Sequence, residues 1–182
     1  MNNKSKRAKM VLSGETFELF VGENLEILVE DSKVRYNYTF YNPRIGRGTE
    51  CDVILVNHYG VYCIECKNYS TSISGNCLDE TWRFISRGKR SRVDNPFISN
   101  YKHIRAMQSA LRKVGFDYMP IKNYVCVPDS CRIYSDRDEV VNFSTMLSQI
   151  EQDALINSVV IKDVDAFIDI LDKVKYDERR SI

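Results

Sequence analysis

The stretch Cys51-Asp52-Val53-Ile54-Leu55-Val56, followed after Asn57-His58-Tyr59 by Gly60-Val61-Tyr62-Cys63-Ile64-Glu65-Cys66-Lys67-Asn68, decides the reading of this chain. Two short β-rich runs are joined by Asn57-His58-Tyr59-Gly60, a hairpin signal. If the turn pairs Val56 with Val61, the same register sets Asp52 opposite Glu65, where Cβ atoms of cross-strand partners stand roughly 4.5–5.5 Å apart. Glu65 and Lys67 lie two residues apart and share that face. Two carboxylates and a lysine therefore converge at the end of a face that otherwise carries Ile54, Val56, Val61 and Cys63. Opposed carboxylates repel unless a cation lies between them, and oxygen donors suit a hard ion such as Mg²⁺ or Mn²⁺. Lys67 is placed to stabilise charge developing on a phosphate or to orient an attacking water. The spacing taken alone also fits an edge hairpin with polar residues on its solvent face.

Val11 to Val29 reads as an amphipathic helix with Ser13 as N-cap and with Phe17, Val21, Asn24, Leu25 and Leu28 on one side. At about 100° per residue, Glu18 lies nearest that apolar side, within reach of the hairpin carboxylates. A helix acid in a simple salt bridge is the rival. Val34 to Tyr41 alternates as a strand ended by Asn42-Pro43 and the loop Arg44 to Gly48. Ile73 to Phe84 adds a further strand or two around Gly75 and Trp82. Asp94-Asn95-Pro96 opens a helix with proline in its first turn. Phe97, Tyr101, Ile104, Met107 or Gln108, Leu111 and Val114 mark its apolar side, and Gly115 stops it. Ile121 to Pro128 reads as a buried strand, Ile133 to Val141 as strand or loop, and Ser144 to Leu155 and Val164 to Lys173 as helices. The order indicates an α/β fold, a mixed central β-sheet flanked by helices.

With 182 residues, 43% hydrophobic and 28% charged, the chain has globular composition and length for one domain. A basic, flexible tail is expected over residues 1–10 and the domain over 11–182, its C-terminal helical region acidic. No apolar run approaches the roughly 20 residues of a membrane span, and no apolar stretch follows the basic start, so a cytoplasmic protein is expected. The six cysteines then read as reduced thiols. Cys63 and Cys66 form a C-x-x-C pair, but on a strand residues three apart point to opposite faces, which argues against a shared zinc.

The net charge of +1 conceals an uneven layout. Arg83, Arg87, Lys89, Arg90, Arg92, Lys102, Arg105, Arg112 and Lys113 are accompanied between residues 83 and 113 by one acid, Asp94. Beyond Tyr134 acids outnumber bases. A basic block carrying Trp82, Phe84, Phe97 and Tyr101 suits a surface that follows phosphates, with Arg83, Arg87, Lys89, Arg90, Arg92, Lys102 and Arg105 as the expected nucleic-acid contacts. A merely solvated basic face is the alternative.

At these residues the sequence resembles the nuclease-related domain family of the PD-(D/E)xK nuclease superfamily, from about Gly14 to Val127. Gly14-Glu15-Thr16-Phe17-Glu18 with Val21 and Leu25 echoes its opening motif, Phe17 replacing a glycine. Cys51-Asp52-Val53-Ile54-Leu55-Val56 matches its I-D-hydrophobic strand. Gly60 to Asn68 matches its G-V-[FY]-x-I-E-x-K-N strand closely. Gly75, Trp82 and Asn95-Pro96-Phe97-Ile98-Ser99 follow, Ser99 standing where the family has glutamine and Asn100 next to it. The resemblance implies a restriction-endonuclease-like core and Mg²⁺- or Mn²⁺-dependent hydrolysis of phosphodiester bonds, of DNA and endonucleolytic by preference. It implies Asp52 and Glu65 as metal ligands with the carbonyl of Cys66, Lys67 as catalytic lysine and Glu18 as auxiliary acid. Since the acids and the lysine are all present, an active site is expected. The rivals are a noncatalytic nucleic-acid-binding module and a protein-interaction module using the acidic C-terminal region.

Overall fold

The computed structural model of the chain describes residues 14–116 and 118–176. The expected basic tail and the Ser13 cap lie outside them. In chain order the elements are α1 (Gly14–Leu28), β1 (Lys33–Asn42), β2 (Arg47–Asn57), β3 (Gly60–Cys66), β4 (Ser72–Gly75), β5 (Thr81–Ser86) and β6 (Lys89–Asp94). Then come α2 (Pro96–Arg112), β7 (Ile121–Val127), β8 (Arg132–Ser135), β9 (Val140–Asn142), α3 (Phe143–Ile156) and α4 (Val164–Val174).

The first sheet has the order β1-β2-β3-β7-β9, antiparallel across the first three strands and parallel from β3 to β9. Every residue of β3 is buried, as a central strand covered on both faces must be. Phe17, Val21 and Leu25 of α1 and Met146 and Ile150 of α3 pack on one face with Val53, Leu55, Tyr62 and Ile64. Ile104, Met107 and Leu111 of α2 and Phe167, Ile168 and Leu171 of α4 cover the other with Ile54, Val56, Val61 and Cys63. The chain is thus α/β, a mixed sheet between helices, consistent with a restriction-endonuclease-like fold. Among the described residues no helix is long and apolar enough to cross a membrane.

A second sheet, ordered β6-β5-β4-β8, grows from the end of β3. One face packs Ile73, Trp82, Val93 and Ile133 with Phe97 of α2 and Val125 and Val127 of β7. Gly75 makes room for the buried Trp82: a Cβ there would stand 2.3 Å from the indole ring. The other face is turned to solvent.

Strand β6 departs from the sequence expectation, which leaves Lys89 to Asp94 in a loop. Its residues are exposed apart from half-buried Val93, so hydrophobic alternation is nearly absent, as befits a charged edge strand. The hairpin is set by Arg87 (φ 49°) and Gly88 (φ 76°), a two-residue turn with both central residues left-handed.

Helix α2 begins as expected, but its buried stripe is Asn100, Ile104, Met107 and Leu111; Tyr101 and Val114 are exposed. The polar Asn100 takes the core position because its amide finds partners there, donating to the carbonyls of Cys63 (2.7 Å) and Tyr124 (3.0 Å). It thereby bridges β3 and β7 from the helix. Asn95 caps the helix, accepting from the N–H groups of Phe97 and Ile98.

Candidate active site

The Val56–Val61 register holds as far as Val53 opposite Ile64, where the β2–β3 ladder ends. Asp52 and Glu65 are therefore not a cross-strand pair as the register alone suggests. Instead Asp52 Oδ2 accepts a hydrogen bond from the Cys66 N–H at 2.8 Å. The cause lies on β1. Asn37, opposite Asp52, is left-handed (φ 49°) and is skipped in the β1–β2 ladder, which pairs Tyr36 with Val53 and Tyr38 with Cys51. Alternation breaks there: Val34 and Tyr36 pack with the α1 side, Tyr38 and Phe40 with the α2 side. Asp52 lies at the switch, where the strands separate.

Glu65 is 6% exposed, and its Oε1 is 2.5 Å from Lys67 Nζ. The backbone N–H of Lys67 donates to the carbonyl of Cys126 at 2.8 Å, which extends the β3–β7 pairing beyond β3 and holds the lysine at the rim. Burial and the neighbouring Glu65 charge push the Asp52 carboxyl up to about 6, against the lowering by the Cys66 amide and Lys67. Burial works to lower the Lys67 ammonium, but the charge and hydrogen bond of Glu65 outweigh it and raise the group above its ordinary value. Glu18 of α1 is half-buried; burial first, then Asp52, raises its carboxyl. The structure brings Glu18, Asp52, Glu65 and Lys67 together at one end of the first sheet.

Two neighbours escaped the sequence reading. His103 of α2 places Nε2 3.6 Å from Glu65 Oε2 and Nδ1 2.5 Å from Thr49 Oγ1. Burial, followed by Lys67 and Lys102, pushes the imidazole down to about 4, so near neutral pH it is uncharged and forms no ion pair with Glu65. The signal was available: His103 flanks the buried stripe, three residues after Asn100 and four before Met107. Ser99, at the family's glutamine position, is half-buried, and Asn100 is turned into the core, so α2 reaches Glu65 through His103.

Cys63 and Cys66 belong to apolar clusters on opposite faces of the sheet. Among the described residues no group of three His, Cys, Asp or Glu side chains is placed to hold a metal by side chains alone. What the rim offers is two carboxylates and main-chain oxygen. That set fits Mg²⁺, which takes one or two carboxylates and keeps several waters, better than a metal needing a full cage of side chains.

The basic block is divided between elements. Arg83 lies on β5, Arg87 in the turn, and Lys89, Arg90 and Arg92 on β6, a hairpin and not a loop; Lys102 and Arg105 lie on α2, and all seven are exposed. Arg83 pairs with Arg92 and Ile85 with Arg90, which puts three arginines on the solvent face of the second sheet, opposite the face that packs on Phe97.

Comparison with known proteins agrees with this architecture. The family described as the nuclease-related domain matches residues 13–128, well over half of the chain. An uncharacterized protein of Bacillus anthracis is 37% identical over 75 residues, 41% of this chain and 35% of that protein. The chain matches only about a third of that relative's length. No solved structure gives a significant match. With the motif strands, the site at their end and the covering helices all inside the matched span, the chain belongs to the nuclease-related domain family of the PD-(D/E)xK superfamily.

Proposed function

We propose that the protein is a metal-dependent nuclease that hydrolyses phosphodiester bonds, of DNA by preference and by internal cleavage. The observation that carries this reading is the pair of acids at the buried end of β2 and β3, Asp52 pushed up to about 6 beside Glu65 with Lys67 in contact. A divalent cation relieves that repulsion. Asp52, Glu65 and the carbonyl of Cys66 would hold Mg²⁺ or Mn²⁺, which when bound supplies Lewis-acid polarisation of the scissile phosphate.

The chain's own residues account for the rest. Lys67, kept cationic by Glu65, stabilises the negative charge that grows on the phosphate oxygens in the transition state. Glu18 orients the attacking water and takes its proton; its raised carboxyl is a better base than an ordinary glutamate. The water oxygen bonds to phosphorus, one bridging P–O bond breaks, and the departing oxygen is protonated from solvent. His103 stays neutral and, through its bond to Thr49, fixes the space beside Glu65. The exposed cations of β5, β6 and α2, Arg83 to Arg105, attract the phosphate backbone.

The experiment is a calorimetric titration with Mn²⁺ and Mg²⁺ of the wild type, Asp52→Asn and Glu65→Gln. Saturable binding by the wild type, lost in both variants, is expected; equal binding by all three removes the metal site and favours a noncatalytic module.

A further inference from the structure

Helix α2 has no acidic residue anywhere along Pro96–Arg112. Its cations Lys102, Arg105 and Arg112 recur at intervals of three and seven and line one side of the helix. Facing them across a cleft of about 340 Å³ is the turn between β1 and β2, which contributes Arg44. That turn is fixed by the Arg44 N–H donating to Asn42 Oδ1 at 3.0 Å and by the Gly46 N–H donating to the Asn42 carbonyl at 3.0 Å. No carboxylate lines the cleft. Among the described residues, none of these four cations forms an ion pair. Tyr101, 51% exposed, lines the same wall, one helical turn before Arg105.

Four unpaired cations in a concave site repel one another and call for a polyanion. From Lys102 to Arg112 the helix rises about 15 Å, a length over which several phosphates of one strand pass. Duplex bases are stacked and paired and offer no free face to Tyr101. A single strand offers both phosphates and bases, the combination that cationic grooves with aromatic platforms recognise. The helix that walls the cleft also reaches the site, because His103, next to Lys102 in the chain, touches Thr49 and approaches Glu65. The arginine face of the second sheet lies elsewhere, on the side turned away from α2.

We propose that this cleft binds a single-stranded nucleic-acid segment, its phosphates on Arg44, Lys102, Arg105 and Arg112 and a base stacked on Tyr101. The proposal rests on the nuclease reading, for which the cleft is the path by which a separated strand reaches Glu65.

The test is fluorescence anisotropy of the full chain in chelator, with a labelled twelve-nucleotide oligothymidylate and a duplex of equal length, at several salt concentrations. The single strand should bind more tightly than the duplex. Arg44→Glu and Arg112→Glu should each weaken it about tenfold or more and flatten its salt dependence, and Tyr101→Ala about fivefold or more. Lys162→Glu, an exposed charge reversal distant in sequence from the cleft, should leave it unchanged. Wild-type affinity in Arg44→Glu and Arg112→Glu overturns the proposal, as does duplex preference with a silent Tyr101→Ala, or no binding at all. Cleavage of DNA by a wild type whose binding ignores the cleft variants sinks the cleft and leaves the nuclease. Cleft-dependent binding without cleavage in any metal does the reverse.

Discussion

Replacing Asn95 tests how α2 is held over the site. Asn95 is 2% exposed and works at both ends of its amide. Its Oδ1 accepts from Phe97 N–H at 3.0 Å and Ile98 N–H at 3.1 Å, capping the helix. Its Nδ2 donates to the carbonyls of Asp79 (2.7 Å), Cys77 (3.2 Å) and Asn76 (3.3 Å), which closes the β4–β5 connection against the helix start. In Asn95→Ala the lost cap costs about 1 kcal/mol, and losing the hydrogen bonds from its amide to the carbonyls of the β4–β5 connection costs about 2 kcal/mol more. At about 2–4 °C per kcal/mol for a chain of this size, the melting temperature should fall by about 6–12 °C in a thermal scan followed by circular dichroism. Asn95→Ser keeps a capping oxygen and should lose about half as much. Asn95→Asp keeps the cap but turns a carboxylate toward three carbonyl oxygens, and should be no better than serine. Asn95→Ala melting within about 2 °C of the wild type, or aspartate matching asparagine, would refute the two-ended role.

In chelator, Asp52→Asn should melt above the wild type. Burial and Glu65 raise the folded carboxyl to about 6 from its ordinary 3.8, so ionising it opposes folding; the variant's advantage should grow as pH rises from about 4 and level off above 6. Asp172 has the opposite sign. Its hydrogen bonds to Arg35 and Tyr38 hold it below the usual carboxylate range, so Asp172→Asn should be less stable than the wild type at neutral pH, the difference vanishing as pH falls through the folded value. In native thiol labelling Cys77, half-exposed, should react first, and the five buried cysteines only with unfolding; rapid reaction of Cys63 or Cys66 would contradict the packing.

The hairpin of β2 and β3 was legible because its two strands bury both faces at a fixed register, and the family's motif coincides with it. The distortion at Asn37 was not, since a left-handed asparagine inside an aromatic strand carries no periodic mark. That single backbone conformation decides where Asp52 points, and it replaced the expected facing of Asp52 and Glu65 by a bond to the Cys66 amide. Strand β6 was hidden because an edge strand of arginines has no apolar face to betray it. Asn100 was hidden for the opposite reason: a polar residue at a core position of α2 makes sense only with the Cys63 and Tyr124 carbonyls in view. Glu18 could be placed from helical geometry, whereas Thr49 gains meaning only from its hydrogen bond to His103 of α2.

The most direct measurement is cleavage of supercoiled plasmid by purified wild type and Lys67→Ala, with Mg²⁺, with Mn²⁺ and with chelator, alongside a mock purification. Lys67 is half-buried just past the end of β3 and belongs to none of the apolar clusters, so its loss should leave the fold and DNA binding nearly unchanged. Metal-dependent cutting is expected from the wild type, none in chelator, and a fall of about 100-fold or more in Lys67→Ala. Full cleavage by folded Lys67→Ala, or no cleavage by wild type in either metal, would contradict it.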